Sequence, residues 1–144
     1  MKIYLAGSIA GGREFEEGLI LISQSLEKMG HIVMTKDNVV GNEMKKTSPR
    51  NLRDRRLIMI RDKSWIRQCD AFIAEVSTYS HGVGYEHCYA ESLAKPILFL
   101  RNKKLIQVKY SAFLDGTDYK KFIFSFYDSK NITKVLKGFF EKYF

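Results

Sequence analysis

Residues 71–76, Ala71-Phe72-Ile73-Ala74-Glu75-Val76, form a nearly unbroken apolar run. A strand with polar residues on alternate positions can face water on one side. A strand apolar at almost every position has to be covered on both faces, which is the place of a central strand in a parallel sheet. The run passes into a polar, glycine-containing join, Ser80-His81-Gly82-Val83-Gly84-Tyr85-Glu86, and then into a helical segment over 85–94, with Glu86 expected in its first turn. In open α/β sheets the ligand crevice lies outside the carboxyl ends of the strands. The join is therefore where chemistry is expected.

The same alternation runs through the chain. Residues 2–6 read as a strand ending at Gly7-Ser8. Residues 13–29 carry Phe15, Leu19, Ile22, Leu26 and Met29 at helical spacing, with Gly30 as a natural stop. Ile32-Val33-Met34 is a second strand, and 36–51, polar with Gly41 and Pro49, reads as a loop near the site. A helix is expected over 52–68, with Ile58, Trp65 and Cys69 on its apolar stripe and Ile66 alongside. Pro96 opens a strand at 97–100, 103–115 reads as a short helix ending at Gly116, and 123–126 is a fifth strand. From Ser129 the tail repeats Ile132, Val135, Leu136, Phe139 and Phe140, an amphipathic helix. Together these predict one domain over 1–144 with an α/β fold. The architecture expected is a three-layer sandwich, Rossmann- or flavodoxin-like, with a five-stranded parallel sheet and helices on both faces.

The 144 residues suffice for such a core. No apolar run approaches the roughly 18–20 residues of a membrane span. The apolar start is too short for a signal peptide and runs straight into a glycine turn. Cys69 and Cys88 form no CxxC pattern and no zinc pattern with His31, His81 and His87. Each cysteine is expected on a helix as a small packing residue, in a reduced, cytoplasmic protein. The net charge of +8 suits an anionic partner, either nucleic acid or a small phosphorylated ligand. The basic residues Lys45, Lys46, Arg50, Arg53, Arg55 and Arg56 carry no interleaved aromatic stripe, which argues against nucleic acid.

Four features carry possible chemistry. Gly7-Ser8-Ile9-Ala10-Gly11-Gly12-Arg13-Glu14 joins the first strand to the first helix. Its glycines would let backbone N–H groups approach a phosphate, or would simply make a tight turn; it is neither a dinucleotide fingerprint nor a P-loop. Asp62 lies between Ile58 and Trp65 on the helix face expected to be buried, where a carboxylate is either paired, for example with Arg61 or Arg67, or used. Glu86, near a helix start, is expected to be favoured in its ionised form by the macrodipole. Two carboxylates in different environments are what glycosidic cleavage uses, one charged and one holding a proton. Tyr4 would lie beside the central strand, as a third member or as a core tyrosine.

Tyr4-Leu5-Ala6-Gly7-Ser8-Ile9-Ala10-Gly11-Gly12-Arg13-Glu14, Arg61-Asp62-Lys63-Ser64-Trp65-Ile66-Arg67-Gln68-Cys69-Asp70, Ala74-Glu75-Val76 with 80–86, and Ala94-Lys95-Pro96-Ile97-Leu98 occur in that order. In this set the chain resembles the nucleoside 2-deoxyribosyltransferase superfamily, and within it the 2'-deoxynucleoside 5'-phosphate N-hydrolases. The resemblance implies a retaining N-glycosidase needing no metal or redox cofactor. Glu86 would attack C1' of the deoxyribose, Asp62 would assist departure of the base, and Tyr4 would position the nucleophile. Gly7, Ser8, Ile9, Gly11, Gly12, Arg13, Asp37, Ser80, Gly82, Ser111 and Phe113 would bind substrate. Ser80 stands where the transferases carry an acid that holds a free 5'-hydroxyl, so a serine there suits a 5'-phosphate. Ser111 matches a serine supplied by the neighbouring subunit, which implies a homodimer. Ala10 and Asp37 depart from the pattern, standing where the hydrolases have an arginine near the phosphate and a histidine. Arg13 or the basic residues within 45–56 are available to replace that arginine. The alternatives are a transferase exchanging bases on unphosphorylated deoxynucleosides and a nucleotide-binding module without turnover.

Overall fold

The computed structural model describes residues 1–8, 15–39, 52–107, 111–112 and 116–144. The strands are β1 (Lys2–Ala6), β2 (Ile32–Val33), β3 (Ala71–Glu75), β4 (Ile97–Asn102) and β5 (Phe122–Tyr127). The helices are α1 (Glu16–Lys28), α2 (Lys36–Val39), α3 (Leu52–Gln68), α4 (His81–Ser92) and α5 (Ile132–Tyr143). The strands form one parallel sheet in the order β2-β1-β3-β4-β5. The fold is the expected α/β sandwich in its flavodoxin-like order. Strand order reverses between β1 and β3, so a crevice opens there at the strands' carboxyl ends.

The continuous apolar run explains itself in β3. Ala71 and Ile73 belong to a core shared with α1 and α5, through Leu19, Ile22, Leu26, Leu136 and Phe139. Phe72 and Ala74 face the opposite core, with Ile66 of α3 and Val83 and Ala90 of α4. Every β3 residue is buried. Full burial of a side chain such as Phe72 contributes about 1.5–3 kcal/mol, so both layers depend on this strand.

Several boundaries moved, each for a local reason. Helix α4 starts at His81, four residues earlier than the glycines suggested, because Ser80 is its N-cap and its Oγ accepts from Val83 N at 3.4 Å. Gly82 and Gly84 therefore lie inside the helix, and Glu86 is beyond the first turn. Of the loop expected over 36–51, residues 36–39 are helical (α2) and 40–51 lie outside the described residues. Gly30 ends α1 as predicted, at φ 82°. Ala94, expected to close α4, instead lies two residues past it with φ 54°, a left-handed position usually given to glycine. Cys69 sits just past α3 rather than on it, and Cys88, on α4, is exposed and not a packing residue. On α3 only Ile66 is fully buried, while Ile58 and Trp65 are half-buried. Of the helix expected over 103–115, residues 103–105 form a 3-10 turn and Ala112 is helical, while 108–110 and 113–115 lie outside the described residues.

Candidate active site

Three elements converge at the crevice. Tyr4 on β1 is buried and lies in register with Phe72 of β3, their rings stacked at 5.5 Å and 11°. Helices α3 and α4 lie side by side on this face of the sheet. They are locked by Lys63 Nζ over the rings of Tyr85 (5.1 Å) and Tyr89 (4.9 Å), and by Arg67 Nη1 donating to Tyr89 Oη at 2.9 Å. Lys95 Nζ donates to the carbonyls of Arg67 and Cys69, at 2.9 and 2.7 Å, satisfying the end of α3. The packing brings Asp62 of α3 and Glu86 of α4 into one electrostatic group over Tyr4.

The electrostatics correct one expectation. Glu86 is not held ionised by the helix dipole. Burial pushes its carboxyl up to about 7, the Tyr4 hydroxyl opposes this by donating a hydrogen bond, and Asp62 adds to the rise. Burial also raises Asp62, against the pull of Arg61. Arg61 grips one carboxylate oxygen, with Nε and Nη2 both 2.9 Å from Oδ1, while its guanidinium rests 4.6 Å over Trp65. Asp62 is thus ion-paired to Arg61 and also lies close enough to Glu86 and Tyr4 to act on both. Burial and the two carboxylates push the Tyr4 hydroxyl far above its ordinary range, so it stays a donor. The group can hold one carboxylate charged and one protonated near neutral pH, the division that acid-assisted displacement needs.

On the other flank of α4 a cavity of about 1010 Å³ opens over β4 and β5. Gly84, His87, Cys88 and Glu91 of α4 border it, with Phe99 and Phe124 on its floor. Ser80 and Ser111 both line it, but Glu86 does not. The predicted residues thus fall into two sets: Tyr4, Asp62 and Glu86 on the α3 side, Ser80 and Ser111 on the far side. Gly82 is exposed in the first turn of α4 beside Ser80. Gly7 has a packing reason, since a Cβ there would lie 2.5 Å from Leu19 Cδ1. Ser8 is buried beside it and Asp37 is exposed on α2. Ile9, Gly11, Gly12, Arg13 and Phe113 lie outside the described residues.

Two charged residues escaped the sequence reading. Glu75 is 2 % exposed and accepts from Ser77 Oγ, from Ser77 N at 3.2 Å and from Tyr127 Oη at 3.0 Å. Arg101, also 2 % exposed, forms part of the cavity wall. The signal was present in both: a lone charge at the carboxyl end of an otherwise apolar strand. Among the described residues no His/Cys/Asp/Glu group could hold a metal ion, and no helix is long and apolar enough to cross a membrane.

Comparison with known proteins identifies the family. A 5-hydroxymethyl-dUMP N-hydrolase of Tetraodon nigroviridis is 33% identical over 141 residues, spanning 97% of each chain. One from Mus musculus is 31% identical over 142 residues, 99% of this chain and 81% of the relative. The solved structure of a Clostridium botulinum CMP N-glycosidase shares the fold, with a TM-score of 0.60 and 23% identity over 95% of this chain and 99% of that one. The family profile described as nucleoside 2-deoxyribosyltransferase matches residues 3–116, and the chain belongs to that family.

Proposed function

We propose that the protein hydrolyses 2'-deoxynucleoside 5'-monophosphates to a free base and 2-deoxyribose 5-phosphate. Its class, N-glycosidase, follows from the relatives; the substrate and the mechanism are the finer reading. The observation that carries it is the grouping of Glu86 and Asp62 with the Tyr4 hydroxyl bonded to Glu86. The ionised Glu86 carboxylate attacks C1' while Asp62 gives its proton to the departing base, breaking the glycosidic bond and leaving a glycosyl ester. Water then attacks C1', Asp62 takes its proton, and Glu86 is released. Ser80, a hydroxyl donor at the amino end of α4, suits a 5'-phosphate, and both named relatives are N-hydrolases of a deoxynucleoside monophosphate.

The decisive assay incubates the protein with dGMP and other deoxy- and ribonucleoside monophosphates, and with deoxyguanosine plus a second free base. Base release from the monophosphate, abolished in Glu86→Ala, is expected. Base exchange on the nucleoside would instead establish a transferase, and tight binding without turnover a binding module.

We further propose a cytoplasmic homodimer. The free thiols Cys69 and Cys88 suit a reducing compartment, and the apolar floor over β4 and β5 suits a second copy. In this reading Ser111 serves the partner's site. The competing arrangement completes the site within one protomer, since the chain's own Ser111 lines the same cavity as its own Ser80. Mixing Glu86→Ala with Ser111→Ala chains distinguishes the two, since only sharing across the interface restores one intact site per dimer.

A further inference from the structure

Arg101 breaks the apolar run of β4 at its carboxyl end. By strand alternation it shares the face of Ile97 and Phe99, the α4 side, and it lines the cavity with Ser80 and Ser111. Its neighbour Asn102 donates its backbone N–H to Ser77 Oγ at 2.8 Å. That bond ties Arg101 to the turn leading into Ser80, at the amino end of α4. The two acids lining the cavity lie at the other end. Glu91 is about 15 Å along α4 from His81 at 1.5 Å per residue. It acts on Tyr119, which follows Asp118 and bonds the carbonyl of Lys95. The cavity is therefore polarised, with a guanidinium, the Ser80 hydroxyl and a helix amino terminus at one end and the two lining carboxylates at the other, while the buried Glu75 carboxyl, which does not line the cavity, lies within reach of Arg101. A guanidinium that is 2 % exposed is poorly screened by water, so its field is felt both in the cavity it lines and at the buried Glu75 carboxyl. The positive end of α4 adds to it.

We propose that Arg101 is the cationic group that selects a 5'-phosphate, taking the role left open by Ala10. The inference rests on the monophosphate reading above and assigns its phosphate end. Ser80 and Ser111 would donate to phosphate oxygens, while Arg101 supplies the charge that a neutral 5'-hydroxyl does not need.

The test uses Arg101→Met and Arg101→Lys, with dGMP and deoxyguanosine as substrates and inorganic phosphate as a probe independent of turnover. Arg101→Met is expected to raise KM for dGMP by about 10- to 100-fold, the scale of one charge-assisted hydrogen bond. Its kcat should change less than about threefold, and Arg101→Lys should recover part of the loss. Inorganic phosphate should raise the melting temperature of the wild type and of Arg101→Lys but not of Arg101→Met. An unchanged KM, or an equal loss on dGMP and deoxyguanosine, overturns the assignment. If phosphate protects Arg101→Met as it does the wild type, Arg101 fails while the hydrolase reading stands. If the wild type releases no base yet its phosphate protection needs Arg101, the hydrolase reading fails while the site stands. Should Arg101→Met not fold, Arg101→Lys decides: a severalfold rise in KM for dGMP alone supports the proposal and no rise overturns it.

Discussion

Tyr4→Phe isolates one hydrogen bond, because the ring still stacks on Phe72 and only the hydroxyl that donates to Glu86 is lost. That bond favours the charged carboxylate, so its removal pushes Glu86 above its value of about 7. A hydrogen bond to a charged group contributes about 1.5–3 kcal/mol. At 1.36 kcal/mol per pKa unit this is a rise of roughly one to two units. At pH 7 about half of Glu86 is ionised in the wild type, and in the variant only about one in ten to one in a hundred. The nucleophile is the ionised form, so kcat/KM for base release at pH 7 should fall roughly 5- to 50-fold through ionisation alone. The deficit should close as pH rises, and the ascending limb of the pH profile should move up by the same one to two units. The assay is initial-rate base release between pH 5 and 10. A lower plateau with an unmoved midpoint would falsify the argument, since Tyr4 would then position Glu86 without setting its charge.

Other outcomes follow from single contacts. Glu86→Gln should abolish base release yet stabilise the fold above pH 7. A carboxyl raised from 4.5 to about 7 contributes stability that is full below 4.5 and lost as pH climbs through 7. At pH 8 the variant should gain up to about 3 kcal/mol over the wild type, read by denaturant titration, and little at pH 4; equal stability at both pH values would refute the burial of Glu86. Ala94→Gly should raise stability by about 0.5–1 kcal/mol with unchanged turnover, because Ala94 occupies a left-handed conformation at φ 54°; destabilisation would mean its Cβ makes contacts worth more than the strain. Gly18→Ala puts a Cβ 1.9 Å from the Tyr127 hydroxyl that bonds buried Glu75, so it should cost about 2 kcal/mol or more. Adding Tyr127→Phe to Gly18→Ala should recover little, as the Glu75 bond stays lost and the ring Cζ still lies 3.0 Å from the new Cβ; full recovery would show that neither the bond nor the remaining contact matters.

What could be read in advance follows the range of each interaction. The β3 run gave its position in the sheet because burial on two faces leaves a mark on every residue. The α3 bounds came out at 52–68 because a run of helical spacing averages over many side chains. The start of α4 was misplaced because one hydroxyl, Ser80 Oγ on Val83 N, outweighed two glycines that looked like a turn. That misplacement assigned control of Glu86's charge to the helix end rather than to burial. A first-turn carboxylate is governed by the helix end, whereas a carboxylate further in is governed by what covers it, here Tyr4, Asp62 and α3. The candidate residues Tyr4, Asp62 and Glu86 could be named from the sequence because each is a local choice of residue type. Their mutual burial and charge coupling come from three elements meeting, and no spacing along the chain encodes them. A residue that no motif carried, Arg101, shows the same limit from the other side. A charge at the end of a buried strand is costly unless it is compensated or used, so the cost was visible in the sequence, but the cavity in which it would be used appears only once β4 lies beside α4.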